Sequence, residues 1–150
     1  MIIPGQYGFR AGHSTAMAVS DMVERVRRAW ERGNVAVGVF LDLKKAFDTV
    51  DHDILLAKLE HYGVRGGALR LMQSYLEGRL QYVQYGGYDS ERGEVVCGVP
   101  QGSVLGPLFF LLYVNDMPAA CESLALILFA DDASVFAEGK DPAQLVTRVN

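Results

Sequence analysis

Two adjacent aspartates, Asp131 and Asp132, lie between two short apolar runs near the end of the chain, at residues 124–129 and 134–136. Short apolar runs on either side of polar turn residues are typical of a β-hairpin. Aspartate is common in hairpin turns, so the pair by itself favours a turn over a ligand site. The segment therefore predicts a strand–turn–strand hairpin with acidic side chains at its tip.

A third aspartate, Asp42, follows the valine-rich run at residues 35–41, which predicts a buried strand. Carboxylates at the ends of apolar strands cost free energy unless a partner compensates their charge. If this strand lies next to the hairpin, Asp42 faces at least one of the other two aspartates. Two like charges about 4 Å apart repel by roughly 4 kcal/mol at an effective dielectric near 20. Protonation of one carboxyl group or a hard divalent cation such as Mg²⁺ or Mn²⁺ would relieve this repulsion.

The rest of the chain mixes helical and strand-like patterns without an internal repeat. Helices are predicted from residue 14 or 15 to 32, from 51 or 53 to 61, at 68–77, at 104–116 and from 141 onwards. Two strand-like pieces, at 80–85 and 94–97, are joined by a glycine-rich turn. This order of elements indicates an α+β fold with a mainly antiparallel sheet.

The overall composition predicts an intracellular protein, in the nucleus or the cytoplasm and not secreted. The 150 residues are half apolar, which allows a sizeable core, and no apolar run reaches the length of a membrane span. The start of the chain does not match a secretory signal. Cys97 and Cys121 lack metal-binding spacing and are predicted to be reduced core residues. The net charge of −4 argues against a nucleic-acid partner, although four arginines cluster at positions 25, 27, 28 and 32.

Four segments carry a more specific signal. They are FLDLKKAFDTV at 40–50, GVPQGSVLGP at 98–107, FADD at 129–132, and QYGFR at 6–10 followed by HST at 13–15. In this order, the first three resemble the palm motifs of reverse transcriptases from non-LTR (LINE-type) retrotransposons. The fourth is similar to the segment that these enzymes carry between fingers and palm.

The resemblance implies a polymerase palm, with an antiparallel sheet packed against helices, plus a remnant of the fingers. Residues 1–34 would form the connection between fingers and palm, and residues 35–150 the palm, within one partial reverse transcriptase domain. The thumb and most of the fingers are expected to be absent. The implied reaction is RNA-directed DNA synthesis, in which two metal ions assist the transfer of deoxynucleotides from dNTPs onto the 3′ end of a DNA primer along an RNA template.

The same resemblance assigns the acidic residues. Asp42 and Asp131 would ligate two Mg²⁺ (or Mn²⁺) ions, and Asp132 would lie beside them, nearer the primer end. Adjacent side chains in a strand point to opposite faces, so the two neighbouring aspartates should differ in role, and Asp131 is the favoured bridging ligand. The carbonyl oxygen of Leu43 is expected to be a further ligand.

Other residues would bind the nucleotide. Phe47 matches the aromatic residue beneath the incoming sugar, where its ring would exclude a 2′-hydroxyl; the alternative is a plain core phenylalanine. Gln101, Gly102 and Ser103 would line the nucleotide and template pocket, or form a loop and a helix cap. Arg10 could approach the nucleotide phosphates or the template, or it could anchor a loop. The arginines at 25–32 favour a solvated helix face over a template contact.

Two alternatives to polymerase activity stay open at this stage. One is a non-catalytic relic of a decayed element, whose aspartates persist without a function. The other is a different palm-type nucleotidyltransferase, such as an enzyme that copies RNA into RNA or a nucleotidyl cyclase. Because the polymerase family normally continues into a helical thumb, the 150-residue chain alone is expected to be inactive.

Overall fold

The computed structural model describes residues 2–121 and 124–149, which form two compact units. The first unit combines Met1–Lys44 with Val114–Asn150, and the second comprises Lys45–Tyr113. The helices are α1 (Thr15–Glu31), α2 (His52–His61), α3 (Gly67–Leu76), α4 (Leu105–Tyr113) and α5 (Pro142–Val149). The strands are β1 (Val35–Asp42), β2 (Leu80–Gln81), β3 (Gln84–Tyr85), β4 (Tyr88–Asp89), β5 (Gly93–Glu94), β6 (Ala125–Phe129) and β7 (Asp132–Gly139). The expected assignment of residues 1–34 to a finger–palm connection stays a prediction.

The first unit is built on an antiparallel sheet of three strands in the order β1-β7-β6. Strands β6 and β7 form the predicted hairpin, joined by the two residues Ala130 and Asp131. Strand β7 starts at Asp132 and is longer than the predicted run at 134–136. The hairpin and the antiparallel sheet are therefore confirmed.

Both faces of the β6–β7 hairpin are buried. On one face Leu128 packs with Val135, and on the other Ile127 and Phe136 pack with Ala18 of α1. Each fully buried side chain of this size contributes about 1.5–3 kcal/mol to folding. Coverage on both faces explains why the central residues of this hairpin are nearly all apolar and do not alternate with exposed polar residues.

Strand β1 is the edge strand of the sheet and is largely exposed. Phe40, for example, keeps 71% of its surface accessible. The prediction of a buried strand at residues 35–41 is therefore wrong. An apolar run predicts a strand, but it does not distinguish a central strand from an edge strand, which has a single hydrogen-bonded neighbour in the sheet.

Helix α1 follows the predicted boundaries because its ends are well capped. The Ser14 hydroxyl accepts a hydrogen bond from the Met17 amide at 3.3 Å, and Gly33, with a φ of +70°, follows the helix.

The arginines of α1 are paired with acidic side chains. Hydrogen bonds from Arg27 and Arg28 lower the pKa of Glu24 to about 2. The ion pairs of the arginine cluster are Arg25–Asp21, Arg27–Glu24, Arg27–Glu31, Arg28–Glu24 and Arg32–Glu138. These pairs neutralise the basic cluster and favour the solvated-face alternative.

The second unit contains three α-helices, a short 3-10 helix at Ala46–Thr49 and two small two-stranded sheets. Strand β2 pairs with β5, and β3 pairs with β4, so the predicted strands at 80–85 and 94–97 are interrupted or displaced. Helix α4 ends at Tyr113, three residues before the predicted end, and Phe109 and Phe110 are buried as expected. Cys97 is exposed and not in the core, because the strand predicted around it does not form. The side chain of Cys121 lies outside the described residues.

Across the part of the chain that the structure describes, no helix has the length and apolar character needed to cross a membrane.

Candidate active site

Asp42 and Asp132 lie directly opposite each other at one end of the sheet. They are register partners at the last position of β1 and the first position of β7. Directly opposed residues of an antiparallel pair share a face, with Cβ atoms about 4.5–5.5 Å apart. Both side chains are exposed, so water screens their repulsion to about 1 kcal/mol. The sheet thus presents two carboxylates side by side to solvent.

Asp131 occupies a different position. It is the second residue of the β6–β7 loop, is partly buried and has no partner in the sheet register. Within residues 2–121 and 124–149, no three His, Cys, Asp or Glu side chains form a group arranged to hold a metal ion. The structure therefore brings together Asp42 and Asp132, and the role of Asp131 as the bridging ligand stays a prediction.

The paired carboxylates fit a hard divalent cation by the chemistry of their donor atoms. Mg²⁺ in nucleotide-handling proteins is held by one or two carboxylates, with waters and substrate phosphates completing the octahedron. Asp42 and Asp132 offer two such carboxylates on one exposed face. A second ion and a contact from the Leu43 carbonyl stay predictions.

The β6–β7 loop, which contains Asp131, is held by residues near the start of the chain. Residues 5–7 run parallel to β6, where the Tyr7 amide donates to the Leu128 carbonyl and the Leu128 amide donates to the Gly5 carbonyl, both at 2.8 Å. Between them, Gln6 is 1% exposed. Its Oε1 atom accepts hydrogen bonds from the amides of Gly8 (2.8 Å) and Ala130 (3.0 Å), and its Nε2 donates to the Ala130 carbonyl at 3.3 Å.

Arg10 stabilises the same segment. Its Nη1 atom donates to the carbonyl oxygens of Ile3 at 2.9 Å and Gln6 at 2.8 Å. These contacts correspond to the loop-anchor alternative. A contact between Arg10 and nucleic acid stays a prediction.

Gly8 is required for the close approach of this segment to the hairpin loop. A Cβ atom at position 8 would lie 2.2 Å from the Ala130 amide nitrogen, which is backbone and has little freedom to move. We expect Gly8→Ala to lower the free energy of unfolding by about 2 kcal/mol or more. Chemical denaturation followed by circular dichroism measures this. Gly67→Ala, whose added Cβ meets nothing closer than 3.9 Å, serves as the control and should change stability by less than about 1 kcal/mol. Equal effects of the two substitutions would contradict the close packing at Gly8.

In the second unit, residues of the first and second motifs contact each other. The Val99 amide donates to the Phe47 carbonyl at 2.8 Å, and Gln101 Nε2 donates to Asp48 Oδ1 at 2.7 Å. The Phe47 ring stacks on Phe110, with centroids 4.3 Å apart. The two motifs therefore pack together within this unit, and the hydrogen bond to Asp48 orients the Gln101 side chain. Sequence reasoning missed Asp48, although it lies next to Phe47.

The other residues of the second motif shape a loop and a helix start. Ser103 Oγ donates to the Pro100 carbonyl at 2.7 Å and accepts from the Gly106 amide at 2.9 Å, which caps α4. Gly102 is exposed and has a φ of +75°, a conformation that glycine adopts readily. The loop-and-cap alternative thus describes the contacts seen here. Nucleotide contacts by both residues stay predictions.

His52 supports this loop from α2. Its buried ring places Nε2 2.8 Å from the Gly98 carbonyl oxygen. We expect His52→Ala to lower the free energy of unfolding by about 1–3 kcal/mol, because a buried carbonyl loses its partner. His61→Ala, at an exposed position of the same helix, is the control and should change stability by about 0.5 kcal/mol or less. Thermal unfolding compares the two variants, and equal losses would exclude the supporting role of His52.

Comparison with known proteins connects this geometry to a family. Residues 1–149, nearly the whole chain, match the family model described as reverse transcriptase (RNA-dependent DNA polymerase). The chain belongs to the reverse transcriptase family. The resemblance to the enzymes of non-LTR retrotransposons is confirmed by the relatives of this reverse transcriptase chain.

Two of the similar curated proteins are polymerases of mobile elements. The chain is 41% identical over 134 residues to the probable RNA-directed DNA polymerase from transposon X-element of Drosophila melanogaster, and the match covers 87% of the chain. It is 36% identical over 142 residues to the RNA-directed DNA polymerase from mobile element jockey of the same species, with 90% of the chain covered. In each case it spans about 15% of the relative's length.

Solved structures confirm the fold class of the reverse transcriptase chain. A telomerase from Candida albicans, solved with a fragment of telomeric RNA, matches with a TM-score of 0.71 at 12% identity, over 97% of this chain and 28% of that one. A telomerase from Candida tropicalis matches with a TM-score of 0.64 at 15% identity, over 97% of this chain and 31% of that one. The predicted α+β palm, with an antiparallel sheet packed against helices, is therefore confirmed.

Proposed function

We propose that this chain takes part in RNA-directed DNA synthesis, in which a primer 3′-hydroxyl attacks the α-phosphate of a dNTP and pyrophosphate leaves. The observation that carries the proposal is the direct opposition of Asp42 and Asp132 at the sheet end, within a chain of the reverse transcriptase family. Because the chain spans about 15% of its relatives' length, the RNA template, the DNA primer and the dNTP are proposed partners.

In this proposal Asp42, Asp131 and Asp132 would hold two Mg²⁺ or Mn²⁺ ions, with the Leu43 carbonyl as a further ligand. When bound, the ions would supply charge stabilisation for the attacking and leaving oxygens of the phosphoryl transfer. The chain's own contribution is positioning. Strands β1 and β7 fix two carboxylates in register, so little reorganisation is needed when a phosphate approaches.

Residues of the second unit would recognise the nucleotide. Phe47 would lie under the deoxyribose, and Gln101, Gly102 and Ser103 would contact the nucleotide or the template. The hydrogen bond from Gln101 to Asp48 supports this assignment, because it orients the carboxamide of an exposed side chain before any ligand binds. Preorganisation of this kind lowers the entropy that binding costs.

The test is primer extension by a chimera in which this chain replaces the matching segment of the jockey polymerase. With Mg²⁺, an RNA template and dNTPs, we expect extension of the DNA primer, with much less product from ribonucleotides. Circular dichroism and thermal unfolding establish that the chimera folds. A folded chimera that gives no product, while the jockey polymerase extends the same primer, would overturn the proposal.

A further inference from the structure

The β6–β7 loop, which contains Asp131 and directly precedes Asp132, has an unusual backbone conformation. Ala130, the first of the two loop residues, has a φ of +57° and is 7% exposed. In a two-residue hairpin loop with positive φ at the first position, glycine is the favoured residue, because a Cβ atom there is strained. An alanine therefore stays in this conformation only when surrounding contacts hold it.

Gln6 supplies those contacts. Its carboxamide binds both backbone polar groups of Ala130, accepting from the amide and donating to the carbonyl, and the two residues are 124 positions apart in the chain. The third hydrogen bond, from the Gly8 amide, fixes the carboxamide orientation. Because Gln6 is 1% exposed, water does not compete for these hydrogen bonds, and loss of the carboxamide would leave buried groups unsatisfied.

The backbone around Gln6 is equally constrained. The parallel pairing of residues 5–7 with β6 fixes the position of the Gln6 backbone next to β6. The absence of a side chain at Gly8 permits the Gly8 backbone to approach Ala130. The Gln6 carboxamide is therefore held in a fixed position from which it binds the backbone of the loop. Asp131 follows Ala130 directly and precedes Asp132, so a change in the Ala130 dihedrals would displace the Asp131 carboxylate first and then the start of β7 at Asp132.

We propose that Gln6 is a positioning residue of the reverse transcriptase site: its buried carboxamide holds Ala130 in the left-handed conformation and so sets Asp131 and Asp132 relative to Asp42. This inference rests on the proposed function, because it assumes that these carboxylates bind a divalent cation. A role confined to stability would lower the melting temperature without changing cation affinity at temperatures where the chain is folded.

The experiment measures Mn²⁺ binding to the full 150-residue chain by electron paramagnetic resonance, together with thermal unfolding. Gln6→Met keeps the length of the side chain and removes its hydrogen bonds. Leu145→Ala is the matched control: Leu145 is a buried side chain of α5, packed near Gly139 at the other end of β7. We expect Gln6→Met to raise the Kd for Mn²⁺ by about tenfold, and Leu145→Ala to lower the melting temperature with an unchanged Kd.

Hydrogen exchange of the unsubstituted chain gives a second measurement that does not depend on how a variant folds. The Ala130 amide should be protected, although it lies in a two-residue loop, because Gln6 Oε1 accepts its hydrogen. Fast exchange of this amide, or an unchanged Kd in a folded Gln6→Met variant, would overturn the positioning role and leave the proposed function intact. If the unsubstituted chain does not bind Mn²⁺, or if Asp42→Asn does not abolish the binding, both proposals fail.

Discussion

Asp42→Asn should reduce DNA synthesis on an RNA template by roughly 10²- to 10³-fold or more in the chimera with the jockey polymerase. The amide is nearly the same size as the carboxylate, so the strand should keep its register with β7. It removes the negative charge that a hard cation requires, and hard cations bind neutral amide oxygens much more weakly than carboxylates. The measurement is the rate of single-nucleotide extension at saturating dNTP and Mg²⁺.

Asp141→Asn is the matched control for this substitution. Asp141 lies in the same unit, is exposed and accepts a hydrogen bond from the Ala143 amide at 2.9 Å at the start of α5. Asparagine caps a helix as well as aspartate does, so this variant should retain the full extension rate. Near-normal extension by a folded Asp42→Asn chimera would remove the assignment of Asp42 to the reaction.

Phe47→Val should raise the use of ribonucleotides relative to deoxyribonucleotides by about tenfold or more. In the proposed arrangement the ring occupies the space that a 2′-hydroxyl needs, and the smaller side chain would open that space. The ratio of kcat/KM values for a matched dNTP and NTP measures this effect, and the comparison of two substrates on one variant cancels any general loss of activity.

Phe110→Val is the control that tests whether loss of the ring packing alone changes the choice between deoxyribonucleotides and ribonucleotides. Phe110 is the stacking partner of Phe47 and is buried, so its truncation removes the same ring contact and destabilises the same unit. It should leave the ratio of deoxyribonucleotide to ribonucleotide use unchanged. If both variants shift the ratio equally, Phe47 is a core residue and not a sugar-discriminating one.

The parts of the site that were predictable from the sequence are those with a local pattern. Apolar runs that flank Asp131 and Asp132 indicate a hairpin, and the run before Asp42 indicates a strand, because strand formation depends on neighbouring residues. Whether the Asp42 strand lies next to the hairpin was left open by the sequence, and its antiparallel pairing with β7 is seen in the structure. The exact register, with Asp132 opposite Asp42, joins two strands that lie far apart in the chain, so no local pattern predicts it and it is seen only in the structure.

The contacts that hold the site were not predictable in the same way. Gln6 binds Ala130 across 124 residues, and Gln101 binds Asp48 across 53, and no local periodicity connects positions so far apart. The exposure of β1 was not predicted for a related reason: an apolar run does not show how many strands will pair with it in the sheet. The glycines beside Gln6 were the one available signal, because they permit close backbone approach.

The sharing of a divalent cation by the end of β1 and the hairpin can be tested by titrating the isotope-labelled chain with Mn²⁺ and following the paramagnetic broadening of its backbone amide signals. If the strand end and the hairpin share a divalent cation, the signals around Asp42 and Asp132 should broaden first, and Asp132→Asn should suppress this broadening. Broadening that begins instead at the acidic positions of α1, such as Asp21 and Glu24, and is unchanged by Asp132→Asn would show that Asp42 and Asp132 do not hold the cation.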